Sequence, residues 1–303
     1  MSTTTTRRPG ALTGLRASTT LLRFPVLALG PRQEPIHFRG FDGRTPIYVT
    51  VGAEEPRRGL ATLADGDVLI YVATRLTHRL NRGEPLDTPL LVRPGAILRA
   101  LGRPRGGRQH ALLGDALMRL AGTTVSTNIG GTGRLFNLLD AALPPASDGP
   151  QAAWTLVSSF LSAEVAAHRI LRFDPAALVL RGLERRLYEW ARVRAGGSVH
   201  SSWAITLERA RDRAASQDAH RRFRHTVRRI VGLDRLPGFT LALEGPDLRP
   251  TLVITRRDDA INAGDPATVD MEDAGSSDTP FVPDIWPALP SDGWDEAGPE
   301  FLD

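Results

Sequence analysis

Apolar side chains recur at helical spacing along SQDAHRRFRHTVRRIVG, residues 216–232, where Ala219, Phe223, Val227, Ile230 and Val231 make one stripe. The spacing predicts a helix capped by Ser216 and stopped at Gly232. Residues 65–80 predict a second helix, with Val68, Leu69, Val72, Leu76 and Leu80 inward and the acids Asp65 and Asp67 at its capped N-terminal end. Shorter helices are expected over 93–101, opened by Pro94, and over 107–122, with Leu113, Ala116, Leu117 and Leu120 inward. Residues 38–41, 46–51 and 89–92 have strand character. Residues 123–129 and 134–139 flank Gly130–Gly133 as a hairpin.

A similar order returns further on. Residues 154–161 and 168–173 are strand-like, 175–195 predict one long helix using Leu180, Leu183, Leu187 and Trp190, and 204–214 predict a short one. The helix over 216–232 then precedes two strands, 239–244 and 251–256. Helix, strand, helix, helix, hairpin is the order of a winged helix-turn-helix, in which the third helix enters the major groove. The expected fold class is therefore α+β, two tandem winged helix-turn-helix domains with a disordered acidic tail. Boundaries fall at 1–20 for a disordered N-terminus, 21–142 for the first domain, 143–152 for a linker, 153–257 for the second domain and 258–303 for the tail.

Charge changes the picture more than composition does. The net charge of +4 hides an asymmetry, because residues 258–303 hold 13 of the 34 acids and no arginine. The first 257 residues carry all 38 basic side chains, every one an arginine, against 21 acids, a formal charge of +17. A body so cationic expects a polyanion, and nucleic acid is the commonest one in a cytosol. No apolar run approaches membrane-span length, and the polar, Thr-rich start carries no signal peptide, so the expectation is cytoplasmic.

Chemistry is sparse. With no cysteine and no lysine there is no thiolate metal site, no standard phosphate loop and no Schiff base. Gly130-Gly-Thr-Gly133 lies between strands and reads as a turn. The seven histidines form no ligand-spaced pair, and no strand–Gly-x-Ser-x-Gly–helix context exists for a nucleophile. The expectation is a protein that is not an enzyme and needs neither metal nor cofactor.

The candidate DNA-binding residues are consequently mostly arginines. In the first half they are Arg103, Arg105, Arg108, Gln109 and Arg119 around the 107–122 helix, with Arg134 on the hairpin. In the second half Arg221, Arg224 and Arg228 share one helix face, flanked by Arg222, His225 and Arg229, and Arg249 and Arg256 lie on the hairpin. Guanidinium matches the guanine edge and phosphate, and Gln the adenine edge.

Four stretches carry a resemblance to a known family. They are Gly59-Leu-Ala-Thr-Leu-Ala-Asp-Gly-Asp-Val-Leu-Ile70, Ile97–Gly107 (ILRALGRPRGG), Leu113–Asn128 (LGDALMRLAGTTVSTN), and Gly182-Leu-Glu-Arg-Arg-Leu-Tyr188 with Leu236-Pro-Gly-Phe239. Together the chain resembles the plasmid replication initiator protein A family over roughly residues 20–245. It departs at Arg185-Arg186, where Arg-Trp is the expected pair. The resemblance implies an initiator that binds repeated sites in double-stranded plasmid origin DNA and recruits host replication proteins. It also implies passage between a monomer and a homodimer, for which the apolar strand text of residues 21–51 could supply the edge. The alternative is a winged-helix transcription regulator on an operator, although no segment is left over for a sensing domain. The tail adds Phe281, Ile285, Trp286, Leu289, Trp294 and Phe301 to its acids, which suits competition with DNA and presentation of Trp286 to a host protein.

Overall fold

The computed structural model describes residues 14–42, 44–145, 153–195, 202–246 and 249–257. In chain order the elements are β1 (Leu15–Ser18), α1 (Thr19–Arg23), β2 (Ile36–Asp42), β3 (Thr45–Ala53), α2 (Gly66–Asn81), β4 (Leu90–Val92), α3 (Pro94–Ala100) and α4 (Gly107–Ala121). There follow β5 (Thr123–Thr127), β6 (Arg134–Asn137), β7 (Ala141–Leu143), β8 (Trp154–Val157), α5 (Ser159–Ala166) and β9 (Ile170–Phe173). A 3-10 turn (Pro175–Val179) leads into α6 (Gly182–Arg194), β10 (Ser202–Thr206), α7 (Leu207–Arg213), α8 (His220–Leu233), β11 (Phe239–Glu244) and β12 (Thr251–Arg256). The protein is a mixed α/β fold with antiparallel sheets.

The two halves share a topology. From α2 the order is helix, strand, helix, helix, and β4 then pairs in a sheet of order β4-β8-β7. From α6 the same order ends in a sheet of order β10-β12-β11. The hairpin expected over 123–139 forms as β5 and β6 but joins another sheet, β2-β3-β5-β6, with Val51 opposite Val125. Alternation and a Gly turn specify a hairpin but not its third strand, so the sequence pointed to the wrong sheet. Residues 146–152 of the expected linker lie outside the described residues, and β7 and β8 on either side of it pair with each other.

Several elements differ from expectation for local reasons. Residues 14–20 were expected to be disordered, yet β1 pairs with β9, Leu15 opposite Phe173, and Ser18 caps α1. The long helix expected over 175–195 is broken: Leu180 is extended and Gly182 sits at φ +51, so α6 starts seven residues late. The strand text of 154–161 stops at Val157, because the Ser158 hydroxyl accepts from Leu161 N–H and starts α5. Thr206 likewise caps α7, leaving residues 204–206, expected as the start of that helix, in the strand Ser202–Thr206. Residues 1–13 and the acidic segment 258–303 lie outside the described residues.

One hydrophobic core runs through both halves, from Leu15 and Val26 through Val72 and Leu117 to Trp190, Phe223 and Ile254. Apolar side chains of the strand text at 47–51 pack into this core, with Ile47 4%, Val49 0% and Val51 0% exposed, and β2 stands at the edge of its sheet. Arginines are buried in the same core. Arg186, 0% exposed, donates to the carbonyls of Leu21, Phe24 and Leu27 and pairs with Glu189 at 2.9 Å. Burial raises the Glu189 carboxyl above its usual range and lowers Arg186, while the ion pair opposes both shifts.

Candidate nucleic-acid interface

α8 is held by its apolar stripe. Phe223, Val227 and Ile230 are 1%, 0% and 3% exposed, spaced to meet the core from one helix face. Neither expected end signal is used. The helix opens after Ala219 with no side-chain cap, and it runs past Gly232 to Asp234, which takes the left-handed conformation at φ 42. Asp tolerates that conformation better than most residues, so the stop sits two positions further on.

Opposite the stripe, Arg221, Arg222, His225, Arg228 and Arg229 are exposed and Arg224 is half-buried. Arg222 pairs with Asp218 at 3.1 Å, one turn back. At 1.5 Å per residue the helix is about 21 Å long, and these guanidiniums cover its outer surface from the first turn to Arg229, leaving the last turn without a basic side chain. Arg249 is exposed between β11 and β12, whereas Arg256 is 2% exposed and cannot reach a ligand from the sheet. Arg257, read from the sequence as lying near the second hairpin, bonds the Phe239 and Asp234 carbonyls and fixes the end of β12 against the end of α8.

The first half is unlike the second. On α4, Leu113, Ala116, Leu117 and Leu120 face the core as expected. Arg108 is exposed at the start of the helix and Arg105 just before it. Gln109 is half-buried and lines a cleft beside Arg32 and Arg57. Further along, the outer face carries Ala111, Asp115 and Met118, and Leu112 is 47% exposed. Arg134 is exposed on β6, part of the sheet that α4 does not share with β4.

Arg103 and Arg119 are committed elsewhere. Arg119 donates from Nε and Nη2 to the two oxygens of Asp65 at 2.9 and 2.8 Å, and those hydrogen bonds raise its pKa. Arg103 donates to Asp67 at 2.6 Å and to the Ala64 carbonyl. The capping role expected of these acids is absent: Asp65 occupies the N-cap but gives no cap hydrogen bond, accepting instead from the Thr62 amide and hydroxyl. Asp67 also receives Arg185 at 3.0 Å. No group of three metal-ligating side chains exists among the described residues, and no helix there is long and apolar enough to cross a membrane.

Against known proteins, the profile of Replication initiator protein A matches residues 16–241. The chain belongs to the replication initiator protein A family. A relative from Wigglesworthia glossinidia brevipalpis, provisionally named a replication protein, is 24% identical over 218 residues, covering 67% of this chain and 78% of its own. The fold is similar to crystal structures of domains 2 and 3 of RctB. One gives a TM-score of 0.57 at 17% identity, covering 79% of this chain and 98% of that one. A second, spanning RctB 155–483, gives 0.52 at 17%, covering 81% and 99%.

The family blocks read from the sequence converge in space. Asp65 and Asp67 come from the first, Arg103 from the second, Arg119 from the third and Arg185 from the fourth; Arg103 and Arg185 share Asp67, and Arg119 pairs with Asp65. Each block therefore contributes a side chain to the ion pairs that tie the start of α2 to α4, to the turn before α4 and to α6. Periodicity could not have found this network, because its members look like exposed helix charges in the sequence.

Proposed function

We propose that the protein is a plasmid replication initiator, without enzymatic activity, whose two halves are winged helices that grip double-stranded origin DNA at repeated sites. In this reading α4 and α8 are the third helices, and the wings are the hairpins β7–β8 and β11–β12, since β4-β8-β7 and β10-β12-β11 have the same order. The observation that carries it is α8, where a fully apolar inner stripe turns a run of arginines outward on a rigid element. Phosphates neutralised by those guanidiniums release condensed counterions, and guanidinium forks also fit guanine edges.

The halves contribute unequally. α8 supplies the charge, while α4 offers Arg108 at its first turn and a nearly neutral outer face. Family membership supports the origin as target and host replication proteins as partners. Two tandem modules span roughly two helical turns, so each site should measure about 20 base pairs. Footprinting on the DNA flanking the gene tests this: directly repeated protected sites beside an AT-rich stretch are expected. Protection of a single operator with no repeats would overturn the initiator reading.

A further inference from the structure

A groove of about 390 Å³ separates the 3-10 turn and the start of α6 from the C-terminal half of α8. Its mouth is apolar, with Val179 75% and Leu233 45% exposed, and buried Ile230 contributes to its lining. Arg181, Arg229 and Arg235 also line it, against one carboxylate, Glu184. Arg235 is paired with Glu184 at 3.1 Å and Arg181 bonds the Leu178 and Leu180 carbonyls, while Arg229 is exposed. An apolar slot with a cationic rim fits an acidic peptide with an aromatic anchor.

The described chain ends at this groove. Arg257 bonds the Asp234 carbonyl and pairs with the Asp234 carboxylate at 2.8 Å. Asp234 stands between Leu233 and Arg235, both groove residues. Residues 258–303 therefore leave from an anchored point on its rim. They carry 13 acids and no arginine, and Ile285 and Trp286 follow Asp284 directly.

We propose that the segment around Trp286 docks in this groove in cis, with Trp286 against Val179 and Leu233 and its acids toward Arg229. Docking covers the C-terminal part of the cationic α8 face, so the segment competes with DNA; this second step rests on α8 being the DNA-binding helix. The tether makes a weak contact sufficient. Flexible-chain statistics for a tether as long as Arg257 to Trp286 give an end-to-end distance of roughly 30 Å, and such tethers give effective concentrations in about the millimolar range. The acids act within about a Debye length, so random duplex at low salt meets the strongest competition.

The chain has no cysteine, which makes cross-linking selective. In the full chain, Thr226→Cys combined with Ala288→Cys, which keeps Trp286 and Leu233, should form an intramolecular disulfide about tenfold faster than Leu91→Cys combined with Ala288→Cys, since Thr226 lines the groove whereas Leu91, 72% exposed on β4, does not. Equal rates, or disulfides formed only between chains, would overturn docking in cis. Trp286→Ala in the full chain should tighten binding of a random duplex at low salt by about threefold to tenfold. Unchanged affinity would overturn the competition. If the disulfide forms but neither chain binds duplex, the docking stands and the reading of α8 as a DNA-binding helix fails.

Discussion

Arg185 Nη2 donates to Asp67 Oδ1 at 3.0 Å across 118 residues of sequence, and both side chains are 2% exposed. The other Asp67 oxygen takes Arg103 at 2.6 Å, the Arg185 Nε reaches Glu189 at 3.1 Å, and the guanidinium lies 4.4 Å from the Phe173 ring centre. Every charge in this array has an opposite neighbour. A buried guanidinium costs several kcal/mol to desolvate and is tolerable only while those partners remain. The array joins α2 of the first half to α6 of the second, beside the β1–β9 pairing and the core that the halves share.

Asp67→Ala should accordingly lower the unfolding free energy by about 3–5 kcal/mol in urea melts. The double variant Asp67→Leu with Arg185→Met should lose clearly less than the two single losses added together. Additive losses would mean that the two residues do not act as a pair.

Arg119 and the α8 arginines should separate stability from binding. Arg119→Ala breaks a bidentate pair with Asp65 and should cost about 1–3 kcal/mol of stability, leaving the salt dependence of DNA affinity unchanged. Arg221→Ala with Arg229→Ala should leave urea melts unchanged and reduce the slope of log K against log salt by roughly 0.9 for each phosphate left without its guanidinium. Anisotropy of a labelled duplex over a salt series measures both. A changed slope for Arg119→Ala would return that residue to the interface.

Arg186 clamps the first turn of the chain onto α6 through the carbonyls of Leu21, Phe24 and Leu27. Arg186→Met keeps much of the volume but removes this donor from the Leu21 and Leu27 carbonyls, each costing about 1–3 kcal/mol if it stays dry, while the Phe24 carbonyl keeps the Val26 N–H. The expected outcome is faster amide exchange across residues 19–28 than across α8. Uniform acceleration through the chain would show that the clamp is not local.

Backbone conformation gives a pair of opposite changes. Gly182 opens α6 at φ +51, so Gly182→Ala should destabilise by about 1 kcal/mol. Ala215 sits at φ 48, so Ala215→Gly should stabilise by up to about 1 kcal/mol, less the entropy of a freer unfolded chain. Thermal melts read both, and equal signs would contradict the assignment of strain.

Local pattern determined a great deal here. The stripe Phe223, Val227, Ile230 dictated α8 and its arginine face, since a 3.6-residue period admits one buried side. The helices α2, α3 and α4 and the hairpin β11–β12 followed from period and turn residues alone. The family blocks were legible as text, though not what they were for. Tertiary structure decided which strands share a sheet, moving β5 and β6 away from β4. It also decided which charges meet solvent. Arg119 and Arg221 are both helix-surface arginines in the sequence, yet one is bound to Asp65 and the other is exposed. Hydrophobic period and turn chemistry act over a few neighbouring residues. Pairing partners and burial of charge depend on residues up to 118 positions apart, which only the packed chain brings together.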